Sequence, residues 1–291
     1  MALNTTDLVL AGYQLFFIVI LVLRGPFSQG RGWLLLSCVL FGVLLALFRR
    51  APARSFATRL LHTFYPLILF GGFYTALGVL NGGFSLAHIE AHDAIIQGWE
   101  QTLFGGQPSY DLIRRWPSVF LSGLLHLAYF SYYPIILLPG PILAARGDWE
   151  GARRVIGASM TAYALCFVVF VLFPVAGPNW VFPHPTGPVR EVWSARLVYS
   201  LLEGGSSVGT AFPSSHVAAT FATVIACWRA WPLLGRITVV PFVLLTIAVV
   251  YCQMHYAMDA MTGLVFGLGS IAVVRGLDRL LGEPTGDARP S

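Results

Sequence analysis

The sequence contains no lysine; all 18 of its basic side chains other than histidine are arginine. That excludes a lysine Schiff base and a lysine phosphate clamp. Charged residues make up only 11% of the 291 positions, against roughly 25% in ordinary soluble domains. Too few charges are present to clothe a soluble surface. Cysteine is also sparse. Cys38, Cys166, Cys227 and Cys252 all lie in apolar runs without a C-x-x-C pair, so they read as apolar filler and report no redox compartment. Met1 to Asp7 carries no positive charge, and no small-residue cleavage site follows the first apolar run. That run is therefore expected to stay as a membrane helix rather than be removed as a signal. The ten-residue alternation of a membrane β-barrel strand is missing too.

What is present is apolar. The chain is 56% hydrophobic, with a mean hydropathy of +0.72. Eight apolar segments can be read: Leu8–Leu23, Trp33–Phe48, Leu61–Leu80, Val119–Leu143, Ile156–Ala176, Ser214–Trp231, Ile237–Cys252 and His255–Val274. Several approach the ~17–20 residues a spanning helix needs. The expectation is an all-α, polytopic membrane bundle of about eight crossings. Residues 1–60 would form N-terminal membrane helices, residues 61–281 a six-helix catalytic core, and residues 282–291, polar and with two prolines, a disordered tail.

With eight crossings both termini share a face, and twelve arginines fall on it against six on the other. The positive-inside rule then puts the termini in the cytoplasm and the loops near His216 and His255 outside, as in a bacterial inner membrane with a periplasmic site. Two long connections lie on that outer side. Asn81 to Ser118 places Ile89, Ile95, Ile96, Trp99, Leu103 and Phe104 at helical spacing with Glu90, Asp93, Glu100 and Asp111 between them. It reads as a short interfacial helix or as a plain loop packed on the bundle. Gly177 to Phe212, rich in Gly, Pro and Ser, reads as a loop with turns.

Two strings near the C-terminus carry chemistry: Pro213-Ser214-Ser215-His216 and His255-x-x-x-Asp259, their histidines 39 residues apart. As helix, that interval spans ~58 Å, or about two ~30 Å hydrocarbon cores, so both histidines return to one membrane face. On a helix, His255 and Asp259 share a side. They read as an imidazole with its orienting carboxylate, or as a polar pair bridging helices. His216 alone would read as an interfacial histidine. However, Pro213, Ser214 and Ser215 place it at a helix N-terminus, where free N–H groups and a positive dipole can hold an anion.

These strings resemble the second and third motifs of the type 2 phosphatidic acid phosphatases. That superfamily also includes vanadium haloperoxidases and sphingolipid phosphotransferases. The resemblance implies that His255 attacks phosphorus to form a phosphohistidine and that Asp259 orients it. It implies that His216 protonates the leaving oxygen and later activates the acceptor. The phosphatases' first motif needs a lysine, which this chain lacks, and the Ser-Arg pair ahead of the third-motif histidine is here Ala248 and Val249. Phe173-Pro-Val-Ala-Gly-Pro-Asn179 is similar to the inositol phosphorylceramide synthase branch, with Asn179 standing where that branch often has arginine. Leu103-Phe104-Gly105 with Gln107-Pro108-Ser109 resembles the same branch more weakly.

A site without those cations suits a monoanionic phosphodiester better than a dianionic monoester. The diester would be held by Ser214, Ser215, Asn179, Gln253 or Tyr256, with Arg190 or Arg196 folding back from the loop ahead of the motif. The expected activity is phospho-headgroup transfer between membrane lipids, with no metal, no organic cofactor and no nucleic-acid partner. The alternatives are a lipid phosphate phosphatase using water, and an inactive transporter or scaffold. Two histidines and a carboxylate are also a metal-ligand set. Gly205-Ser206-Ser207-Val208-Gly209 fits G-x-S-x-G, but a nucleophile elbow needs a strand before it. His88 and His92, four apart, hint only weakly at a ligand pair. Tyr129, Tyr132 and Tyr133 read as core packing, with a hydroxyl available to a substrate cavity.

Overall fold

The computed structural model describes residues 4–23, eight positions scattered between 32 and 46, and residues 55–282 apart from 82, 83 and 206. Among the described residues every regular element is a helix, as the composition requires of a chain this apolar. In chain order they are α1 (Thr5–Leu23), α2 (Phe56–Asn81), α3 (Leu86–Phe104), α4 (Pro108–Arg115), α5 (Val119–Phe130), α6 (Tyr132–Leu137) and α7 (Pro139–Ala145). They continue with α8 (Trp149–Leu172), α9 (Pro178–Val181), α10 (Pro188–Glu191), α11 (Trp193–Gly205), α12 (Ser215–Ala230), α13 (Pro232–Tyr251) and α14 (Ala257–Leu281).

Among the described residues, six stretches are long and apolar enough to cross a membrane: α1, α2, the run Val119–Ala145, α8, α13 and α14. The third is three helical pieces end to end. Pro134 and Pro139 each lack an amide hydrogen, and the pieces join at Ser131 and Leu138, both in the right-handed helical region. α12 is shorter, at 16 residues or ~24 Å. It lies against α8, α13 and α14 in the middle of the bundle, so protein surrounds it. The expected segment Trp33–Phe48 falls mostly outside the described residues.

α8 is the hub. α1, α2, α7, α12 and α14 all pack on it. Beyond its first turns, which carry Glu150, Arg153 and Arg154, its sequence is apolar on most sides and uses small residues such as Gly157, Ala158, Ala162 and Ala164, as a helix buried in a bundle must. Asp148 caps it by accepting from Gly151 N at 2.7 Å. α12 and α14 approach closely through two glycines. A Cβ on Gly263 would stand 2.7 Å from the Ser214 carbonyl oxygen, and one on Gly267 2.9 Å from that of Ala218. That approach brings the start of α12 against the start of α14.

Two long connections are more ordered than their composition implied. Asn81 to Ser118 holds α3, capped by Ser85 and ended by Gly105 in the left-handed conformation (φ 70°), followed by α4. Its polarity is inverted from the usual interfacial helix. The buried stripe is Ile89, Asp93, Ile96 and Glu100, whereas Ile95, Trp99 and Leu103 face outward. Gly177 to Phe212 is not only turns: it contains α11, a 13-residue helix packed on α5. Trp193, Leu197, Val198, Leu201 and Leu202 have helical spacing, a signal that the surrounding Gly, Pro and Ser masked.

Candidate active site

The start of α12 and the turn before α14 meet. Ser214 is the N-cap of α12, its hydroxyl accepting from Val217 N. Its own N–H donates to the Asp259 carbonyl oxygen at 2.9 Å. His216 is therefore in the first turn of α12. His255 is not on α14, as the four-residue spacing had implied. It lies in the tight turn from Cys252 to Tyr256, where Met254 N and His255 N both donate to the Val249 carbonyl (3.0 and 2.8 Å). Gln253 takes φ 60° to make that turn, the one non-glycine positive φ among the described residues.

The two imidazoles face each other, His255 Nε2 lying 3.2 Å from His216 Nδ1. His255 Nδ1 is 3.0 Å from the Ala211 carbonyl oxygen. A carbonyl can only accept, so Nδ1 carries the hydrogen and Nε2 keeps a free lone pair. His216 Nδ1–H then donates to that lone pair, and His216 Nε2 is left to accept from the Tyr129 hydroxyl at 3.3 Å. Tyr132 packs its ring 4.3 Å from that of His216. Burial pulls His255 down to about 4, so the imidazole is neutral near pH 7.

Asp259 is the third residue of α14. Its Oδ2 accepts from Tyr256 N at 2.8 Å, closing the helix end, and comes within 3.4 Å of His255 Nδ1. Its carboxylate is fully buried behind the histidine.

A cavity of about 300 Å³ opens beside the histidines. Asn179, Ser207, Thr210, Ala211, Ser215, His216 and His255 line its polar part, and Leu67, Phe70, Ile136 and Leu137 its apolar part, with Tyr74, Tyr132 and Tyr133 also in the wall. None of its lining residues is an arginine, aspartate or glutamate.

Of the residues singled out from sequence, His216, His255, Ser215 and Asn179 meet at this cavity, and Ser214 and Asp259 adjoin it. Asn179 presents a buried Oδ1 with no hydrogen-bond partner among the described residues. Three others are engaged elsewhere. Gln253 Nε2 is shared among the carbonyls of Pro178, Phe182 and Pro183 (3.1–3.3 Å), and its Oε1 accepts from Arg114 at 2.8 Å. That side chain staples a loop and has no donor left for phosphate. The Tyr256 hydroxyl donates to Asp93 at 3.0 Å and accepts from Gln97 Nε2 at 3.0 Å. Arg190 lies over the Tyr199 ring, 4.6 Å from its centroid.

Sequence reasoning missed Ala211, whose contribution is a backbone oxygen and leaves no signal. It left the Tyr129 hydroxyl unassigned, and it placed Asp93 and Glu100 among the polar residues between the apolar ones. Among the described residues, no cluster of three or more His, Cys, Asp or Glu is arranged to hold a metal ion.

The sequence profile of the PAP2 superfamily matches residues 111–273, more than half of the chain and all of α12 to the middle of α14. Comparison with curated proteins finds no match. Comparison with solved structures finds none either.

Proposed function

Because the chain belongs to the PAP2 superfamily, we propose that it is an integral membrane lipid phosphotransferase that moves a phospho-headgroup between lipids through His255. Phosphatase- or phosphotransferase-type chemistry on lipids comes with the family, and six apolar spans put the chain in the membrane. The finer reading is ours.

His255 Nε2 carries no hydrogen because Nδ1–H is held by Ala211, so its lone pair, which accepts from His216 before substrate enters, can attack phosphorus. Substrate phosphate inserts between the two rings. Nε2 forms the N–P bond as the P–O bond to the leaving group breaks. His216, protonated as the anion enters, gives that proton to the leaving oxygen. The resulting neutral His216 then takes a proton from the acceptor hydroxyl, whose oxygen displaces His255. Among the described residues lining the cavity, His216 as imidazolium would be the full positive charge facing the phosphate. One positive charge matches a phosphodiester monoanion and falls short for a dianion. The apolar part of the cavity, Leu67, Phe70, Ile136 and Leu137, suits an acyl chain arriving from the bilayer. The excess of arginine on the opposite loops favours a site on the outer face.

The observation that carries this reading is the pair of imidazoles 3.2 Å apart in a cavity wall without arginine or lysine. Lipid mass spectrometry of cells with and without the protein, with a His255→Ala control, tests it. A new phosphodiester lipid that depends on His255 supports transfer. Rapid hydrolysis of phosphatidic acid with phosphodiester lipids untouched would replace this reading with the phosphatase one.

A further inference from the structure

We propose that Asp93 and Glu100, one buried stripe of α3, are positioning residues for His255 that grip the backbone on its C-terminal side and the loop across from it. The proposal rests on the reading of His255 as the reacting group. Asp93 Oδ1 accepts from Gly177 N at 2.9 Å and from the Tyr256 hydroxyl at 3.0 Å, and Oδ2 accepts from Ala176 N at 2.8 Å. Asp93 thus ties the loop bearing Asn179 to the residue next to His255. Seven residues on, Glu100 Oε1 accepts from Ala257 N at 2.5 Å and Met258 N at 3.2 Å. Those are the first two amides of α14, donors that the helix cannot satisfy itself.

Neither carboxylate lines the cavity. Both are essentially inaccessible, at 1% and 0% exposure. No arginine is hydrogen-bonded to either among the contacts above. A buried acid without a cationic partner is costly unless its hydrogen bonds are needed. Here the bonds converge on Tyr256, Ala257 and Met258, the three residues that follow His255. The His255 ring itself is steered by Ala211 and by nearby Asp259. If the backbone behind it moves by ~1 Å, the ring leaves its line with His216, a displacement that can cost ~100-fold in rate.

Glu100 also titrates where the effect can be read. Burial raises its carboxyl to about 7, against the N–H bonds from Met258 and Ala257, with Asp259 on α14 and Asp111 on α4 raising it further. Ionised Glu100 holds the two amides more firmly than its protonated form does.

The test compares wild type with Asp93→Asn, Glu100→Gln and Glu100→Ala in detergent, by kinetics, by the pH dependence of kcat, and by ¹⁵N NMR of the His255 ring. Glu100→Ala should lower kcat ~100-fold with KM changed less than ~2-fold. Glu100→Gln, which keeps an acceptor oxygen, should lower kcat less and remove a rise in kcat centred near pH 7. Asp93→Asn should behave like Glu100→Ala. All three should shift the His255 ring resonances. Unchanged resonances with an unchanged pH profile would overturn the proposal, as would variants that raise KM and leave kcat alone. A wild-type protein that turns over no lipid would sink the transferase reading. The NMR comparison would still decide the positioning role.

Discussion

His255 Nδ1 lies closer to the Ala211 carbonyl oxygen, at 3.0 Å, than to the Asp259 carboxylate, at 3.4 Å. The tautomer of the histidine is thus held by main chain, and on the function proposed above the carboxylate stabilises charge that develops on the ring. Asp259→Asn should keep the tautomer and lose only that charge. Its kcat is expected to fall ~10–100-fold, whereas His255→Ala should fall beyond detection. Single-turnover rates on one lipid separate the two. Equal losses in both variants would show that Ala211 does not suffice.

Tyr129 gives the next comparison. Its hydroxyl is 3.3 Å from His216 Nε2, and its ring packs on the same imidazole. Tyr129→Phe removes the oxygen and keeps the packing. A long hydrogen bond of this kind is worth about 1 kcal/mol, so kcat should drop ~5-fold with little change in KM. Steady-state kinetics at fixed pH read the split. A rise in KM alone would instead place Tyr129 against bound substrate.

Asn179 occupies the wall where a fixed cation is missing. Asn179→Arg should supply one, a short distance from the histidines. Each charge-assisted hydrogen bond contributes roughly 1.5–3 kcal/mol, so the preference for a dianionic monoester over a diester should rise ~10–100-fold. Competition between phosphatidic acid and a phosphodiester lipid in mixed micelles measures it. No change in the ratio would mean that charge at this wall does not set specificity.

The bundle and the meeting of the two histidines were legible because they follow from strong local signals. Long apolar runs dictate helices, and 39 residues of helix return His255 to the face of His216. Boundaries were less so. His255 was placed on α14 because H-x-x-x-D has helical spacing, yet the turn needs Gln253 at φ 60°, which no periodicity announces. Gln253 and Tyr256 looked like phosphate ligands because they flank His255. Their side chains instead point back into the scaffold, to Pro178, Phe182, Pro183 and Asp93. Asp93 and Glu100 were hidden by a rule that holds in water. Acids on an amphipathic helix normally face solvent, but here Ile95, Trp99 and Leu103 face outward and the protein interior takes the acids.

Glu100 also makes stability depend on pH in a defined direction. Its carboxyl titrates near 7 in the folded chain, well above the ordinary value of 4.5, because burial disfavours the ion. The folded state therefore holds a proton that the unfolded state has released. Stability from this group is complete below pH ~4.5 and is lost as pH rises through ~7. His255 acts in the opposite range. It is kept neutral by burial down to about 4, so its contribution is complete above the ordinary histidine value of 6.5 and is lost as pH falls toward 4. Between pH 4.5 and 7 His255 and Glu100 therefore pull in opposite directions, and the difference between wild type and Glu100→Gln isolates the carboxyl. The thermal midpoint of wild type in detergent, relative to that of Glu100→Gln, should fall from pH 5 to pH 7.5, because the amide mimics the protonated acid and does not titrate. The two proteins should converge below pH ~4.5. Parallel curves across pH 5–7.5 would mean that Glu100 is already ionised in the folded chain, and that the amides of Ala257 and Met258 outweigh its burial.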